Sequence, residues 1–183
     1  MFGTIKKYEY NYLRIKKEDE MMNEFGKFGT LHESNGRYAL RFERFFSHKS
    51  EDVFRVITNP SYFSQWYPFA TGEMDLRIGG EIDFNDGEGT TYVGTITELE
   101  PPTLFSFREV DDGVSISLRE EGQGCLMIFT HTFSDDSWAV NTAAGWHRCL
   151  DVLAQIVNGK PIKWHDNSTE LRKIYSDAFN MKG

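Results

Sequence analysis

His131 is the polar residue best placed for chemistry in this sequence. Met127, Phe129 and His131 recur at every second position of the run Cys125 to Phe133, so the imidazole continues the apolar face of a strand. An inward imidazole can orient a carbonyl or hydroxyl, or act as a general base with Glu98 or Tyr92 nearby. The simpler role, and the one favoured, is a buried histidine held by a backbone carbonyl or a Thr hydroxyl. The other histidines, His32, His48, His147 and His165, show no HExxH or paired-ligand spacing, and Cys125 and Cys149 do not complete a zinc set, so no metal site is expected. No G-x-S-x-G elbow is present. Gly79-Gly80 precedes a strand and lacks both the dinucleotide fingerprint and the phosphate-loop lysine, which makes it a tight turn or a bulge. Cys149 lies beside a helical apolar stripe and reads as a small buried hydrophobe rather than a thiolate nucleophile. No residue set names a reaction or a cofactor.

The elements that would position His131 follow from periodicity. Ser137 to Asn158 places Val140, Ala143, Ala144, Trp146, Leu150, Leu153, Ile156 and Val157 at steps of three and four, which is one apolar helix face. Asp135, Asp136 and Ser137 supply cap oxygens and negative charge at its start, and Gly159-Lys160-Pro161 supplies the stop. At roughly 1.5 Å per residue it is about 30 Å long, enough to cross a small domain.

Before it, Gly29 to Leu31 and Tyr38 to Phe46 flank Asn35-Gly36, a strong hairpin signal. Tyr38, Leu40 and Phe42 alternate with Arg41 and Glu43, giving a first strand with one wet face. A short helix with Val53, Phe54 and Ile57 on one face follows, then a second running from the Asn59-Pro60 start to Trp66. Six strands are then expected, at Met74 to Ile78, Glu81 to Phe84, Thr91 to Leu99, Leu104 to Glu109, Val114 to Arg119 and Cys125 to Phe133. Turn signals such as Asp111-Asp112-Gly113 separate them. Short links imply an antiparallel meander. A sheet with one apolar face and one long amphipathic helix must pack together, because neither hides its apolar side alone. The expected class is α+β: a curved antiparallel sheet of about seven strands wrapped around a long C-terminal helix, with two short helices after the first strand.

The domain is expected over residues 29–160, with an extension over 1–28 and a tail over 161–183. The extension mixes Tyr8, Tyr10 and Tyr12 with balanced charge and has no clear period, and Met21 and Met22 leave a start at that point open. In the tail, Leu171, Ile174, Tyr175 and Ala178 form a stripe behind an Asn167 or Ser168 cap, expected to dock on the sheet edge or the short helices. A formal charge of -8 argues against nucleic acid as a partner. No run approaches the roughly 20 apolar residues of a membrane span. With two unpaired-looking cysteines and no secretory signal, the expected location is the cytoplasm.

The ordered set Leu40-Arg41-Phe42-Glu43-Arg44, Val53 to Pro60, Trp66, Asp75 to Gly80, Gly94 to Pro102, Phe129-Thr130-His131 and Gly145-Trp146 through Leu153 resembles the START-like, or SRPBCC, helix-grip superfamily. More narrowly it is similar to the family named for the C-terminal domain of the activator of the heat-shock-protein-90 ATPase, in its small stand-alone bacterial form. Phe54 stands where Trp is usual, and the first 28 residues are far too short to replace the extra N-terminal domain of the eukaryotic activators. The resemblance implies a cleft between sheet and helix that takes an apolar small molecule, with Trp66, Phe69, Phe84, Tyr92, Phe107, Phe129, His131 and Trp146 as candidate ligand contacts. A volume of about 300 to 1,000 Å³ would suit a lipid-like or polycyclic molecule. For each ring, filling the core is the simpler role. A binding domain, monomeric or homodimeric, is expected ahead of a module acting on the 90-kDa heat-shock ATPase. A cyclase- or hydrolase-like enzyme ranks last.

Overall fold

The computed structural model describes residues 27–180, and the expectations for the first 26 residues, including a start at Met21 or Met22, lie outside them. Eight strands form one antiparallel sheet: β1 (Thr30–Ser34), β2 (Arg37–Phe46), β3 (Ala70–Met74), β4 (Glu81–Asn85), β5 (Thr91–Glu100), β6 (Leu104–Glu109), β7 (Asp112–Glu121) and β8 (Gly124–Phe133). Their spatial order is β1-β2-β8-β7-β6-β5-β4-β3, so the one non-sequential pairing is β2 with β8. Between β2 and β3 lie α1 (Ser50–Thr58) and α2 (Pro60–Trp66). The long helix α3 (Ala139–Val157) and a tail helix α4 (Ser168–Ala178) follow the sheet and complete the elements of the described residues. The eighth strand, one more than expected, is β1. Asn35 (φ 53°) and Gly36 (φ 72°) take the left-handed conformations of a two-residue hairpin turn, and β1 pairs with β2 from Ser34 opposite Arg37 to Thr30 opposite Arg41.

Each short helix starts where its sequence signal lies. Asn59 Oδ1 accepts the Ser61 N–H at 3.0 Å ahead of Pro60, and the Trp66 indole N–H donates to the Val56 carbonyl at 3.2 Å, tying α2 to α1. At the start of α3, Asp135 Oδ1 accepts from the Ser137 N–H at 2.9 Å, capping a single 3₁₀ turn (Asp136–Trp138) that leads into the helix. The stop is a Schellman motif. Gly159 (φ 63°) donates to the Ile156 carbonyl and Lys160 to that of Gln155, at 3.0 and 2.8 Å. Ala143, Trp146, Leu150 and Leu153 of α3 are buried against the sheet.

The strand expected over Met74 to Ile78 lies earlier, at Ala70–Met74. Its predicted second half is a loop, because the Arg77 N–H turns back onto the Asp75 carbonyl and Gly80 onto that of Arg77, leaving Leu76 and Ile78 exposed. The tail helix packs on α3 rather than on the short helices, and its Tyr175 also reaches Gly29, just ahead of the edge strand β1. The β6–β7 turn is Val110-Asp111 instead of Asp111-Asp112-Gly113, since Glu109 pairs with Asp112 across it. Val110 therefore carries φ 52°, a left-handed conformation that a β-branched side chain adopts at a cost of about 1–2 kcal/mol. Its side chain is exposed and buries nothing that replacement would forfeit. Val110→Asn is expected to raise unfolding stability by about 1 kcal/mol, read as a higher urea midpoint with an unchanged slope.

Candidate functional site

The inward residues of the sheet do not all meet α3. Trp66, Phe84, Phe107 and Phe129 are at most 1 % exposed; the first three belong to a packed ring cluster with Phe63 and Phe105, and Phe129 packs between Phe42 and Trp146. They do not line the cavity, so four of the eight expected ligand contacts are core. The other four, Phe69, Tyr92, His131 and Trp146, face a cavity of about 470 Å³ between α3, β5, the β6–β7 hairpin and β8. Tyr67 divides the two regions. It follows α2 directly, stacks on Trp146 with ring centres 5.0 Å apart and planes within 16°, and turns its hydroxyl to the cavity.

His131 stands at one end of this space. The Trp146 indole N–H donates to its Nδ1 at 2.9 Å, so the proton of the ring sits on Nε2, which points to Asp112 Oδ2 at 3.2 Å. The imidazole is therefore held by an indole and a carboxylate, not by a backbone carbonyl or a threonine. Tyr67 donates to Glu109 Oε1 at 2.5 Å, and Tyr92 and Glu109 line the same wall. Tyr67, Glu109 and Asp112 are polar residues that sequence reasoning missed. A signal for Glu109 exists: Phe105, Phe107 and Glu109 alternate as Met127, Phe129 and His131 do, and both runs end in a polar group on the same inward face.

Glu98, expected beside His131, is not there. The register of β5 against β6 shifts between Ile96 and Glu98, so the alternation that buries Gly94 and Ile96 turns Glu98 outward.

Electrostatics in this pocket are dominated by burial. It pushes the Tyr92 hydroxyl up to about 12, with the Glu109 charge adding to the effect, and the same two causes hold Tyr67 well above the usual tyrosine range. Burial also raises the Glu109 carboxyl, against the opposing pull of the Tyr67 hydrogen bond. A carboxyl raised in the folded protein disfavours folding once the pH is high enough to ionise it. Glu109→Gln, which keeps an acceptor for Tyr67, is thus expected to be more stable than the parent protein at pH 7.5. That advantage should fade as the pH falls through the carboxylate range, as urea titrations at both ends of the range will show. Cys149, at the cavity wall, is pushed up to about 12 by burial and remains a thiol. The extended chain beyond α3 covers one side: Gln155 exchanges hydrogen bonds with Lys163, Arg148 donates to the His165 carbonyl, and Trp164 lies beside Arg148 at the cavity rim.

The family model described as Activator of Hsp90 ATPase homolog 1-like protein matches residues 47–158, from the turn before α1 to the end of α3. The chain belongs to this family. Solved structures of the same START-like helix-grip fold include a conserved protein of unknown function from Enterococcus faecalis, with 17% identity, 85% of this chain and 92% of that one covered, and a TM-score of 0.73. CalU16 from Micromonospora echinospora is 21% identical over 83% of this chain and 93% of its own, with a TM-score of 0.65. The Aha1 dimer from Colwellia psychrerythraea is 14% identical over 65% and 95%, with a TM-score of 0.55. No curated protein sequence matches the chain. At these identities the likenesses show the fold of this family member. Among its described residues, no helix is long and apolar enough to cross a membrane.

Proposed function

We propose that this family member binds an apolar small molecule in the cavity between α3 and the sheet. The ligand would present a hydrogen-bonding group to Glu109, Tyr92 and the His131–Asp112 pair. The observation that carries the reading is the 470 Å³ space itself, which lies in the range of small-molecule sites and joins aromatic walls (Phe69, Tyr92, Trp146) to a polar end. Two carboxylates and two tyrosine hydroxyls suit a ligand that donates hydrogen bonds, such as a hydroxylated polycycle.

Native mass spectrometry on freshly purified protein, followed by a thermal-shift screen of lipids, aromatic polyketides and flavonoid-like compounds, tests this. Binding should be saturable and should weaken about tenfold in Asp112→Asn, the loss of roughly one charge-assisted hydrogen bond from the ligand to that carboxylate. Absence of both a co-purified mass and any thermal shift would overturn the proposal. The family's description supports a second reading, a module acting on a 90-kDa heat-shock ATPase. That reading requires complex formation and faster ATP turnover by the chaperone at micromolar protein, and absence of both rules it out.

A further inference from the structure

On β2 the inward positions are Leu40, Phe42, Arg44 and Phe46, so a cation stands where the strand's alternation puts apolar groups. The Arg44 side chain is only 6 % exposed. A guanidinium keeps its charge, and burying it is costly unless carboxylates and hydrogen bonds surround it. Here they do not. Nη1 donates to the Glu43 carbonyl at 3.0 Å and the Phe42 ring lies 5.8 Å from the guanidinium, but the Asp151 carboxylate stands 3.8 Å from Nη2, beyond hydrogen-bond reach. Nε and Nη2 have no hydrogen-bond partner among the described residues. Paired donors are the rule in protein interiors, and two on one charged group call for a missing acceptor.

Arg44 lines a cleft of about 380 Å³ between β2 and the C-terminal half of α3, and Lys27 and Lys160 line it too. Three permanent cations face one carboxylate, Asp151, in a chain whose formal charge is -8. The cleft shares no lining residue with the aromatic cavity.

We infer that this cleft is a binding site for a compact oxyanion of the phosphate class, engaged by the Nε and Nη2 edge of Arg44 and by the ammonium groups of Lys27 and Lys160. That edge of a guanidinium presents two parallel N–H groups, the geometry that holds two oxygens of one phosphate. Asp151 occupies the approach loosely, and the arriving anion displaces it.

Two measurements on the full chain test this: thermal unfolding and titration calorimetry with inorganic phosphate and with glycerol phosphate, chloride being added to equal ionic strength in the controls. Saturable binding of phosphate with a rise in Tm that chloride does not produce is expected. Glycerol phosphate binding more tightly than the free ion would identify a phosphomonoester as the ligand, and the reverse order the ion. Binding should be at least tenfold weaker in Lys27→Gln/Lys160→Gln, whose exposed substitutions leave the core intact. It should be about tenfold tighter in Asp151→Asn, which removes the competing carboxylate. A response equalled by chloride, or phosphate binding unchanged in both variants, overturns the assignment.

Discussion

Phe63→Ala is expected to lower stability by about 3–5 kcal/mol, the range for removing a fully buried aromatic ring from a core that cannot collapse around the void. Phe63 is 1 % exposed and stands at the centre of the ring cluster, edge-on to Trp66 at 5.0 Å and to Tyr67, Phe105 and Phe107 at 5.6 to 6.2 Å. Because those rings come from α2, the segment after it and β6, no single element can move inward to fill the space. Phe63→Leu retains most of the volume and should cost less than half as much. Chemical unfolding of both variants checks the ratio. The consequence for the site is specific: Tyr67 rests on Phe63 on one side and stacks on Trp146 on the other, so the alanine variant should also lose affinity for any cavity ligand. A Phe63→Ala protein within 1 kcal/mol of the parent would mean that the ring cluster is loosely packed.

The second large effect is acid destabilisation through His147. Burial lowers this imidazole to about 4, with Arg44 and Lys27 acting in the same direction and Asp151 opposing them. Its Nδ1 lies 2.8 Å from the hydroxyl of Tyr175, which already accepts the Gly29 N–H at 3.0 Å, and Nε2 lies 3.6 Å from Asp151. Phe28 covers the ring at 5.0 Å. An imidazole lowered in the folded state takes up its proton first in the unfolded chain. Stability is therefore fully present above the unfolded value of 6.5 and is lost as the pH falls from there toward about 4. At 1.36 kcal/mol for each pH unit, that window is worth about 3 kcal/mol. Glu109, raised by burial, works in the opposite sense, gaining stability as the pH falls, so the measurement belongs in the Glu109→Gln background. Urea midpoints at pH 7.5 and 4.5 should differ strongly there and converge when His147→Gln is added. Equal slopes with and without His147 would assign the acid sensitivity elsewhere.

Much of the fold was legible in the residues themselves. The steps of three and four in α3, the Asn35-Gly36 turn and the Asn59-Pro60 start each correspond to the element expected of them, because periodicity, turn conformation and capping are local properties. The strand misplaced to Met74–Ile78 shows the limit of such reading. Its residues have strand propensity, but backbone hydrogen bonds between Asp75, Arg77 and Gly80 close a turn that propensity does not reveal. Glu98 was misassigned for a related reason, since a single bulge reverses every later side chain of a strand and leaves no mark in composition.

The candidate site divides along the same line. Alternation placed Phe84, Phe129 and His131 inward, and the same unread signal lies in Glu109 on β6 and Arg44 on β2. Only the tertiary structure decided which of them are core, which face open space and which are left without partners. Whether an inward side chain meets another atom depends on the separation of α3 from each strand of a twisted sheet, and Phe63, Tyr67 and Trp146 set that separation from elements distant in sequence. Direction is a property of the strand, whereas contact is a property of two surfaces brought together.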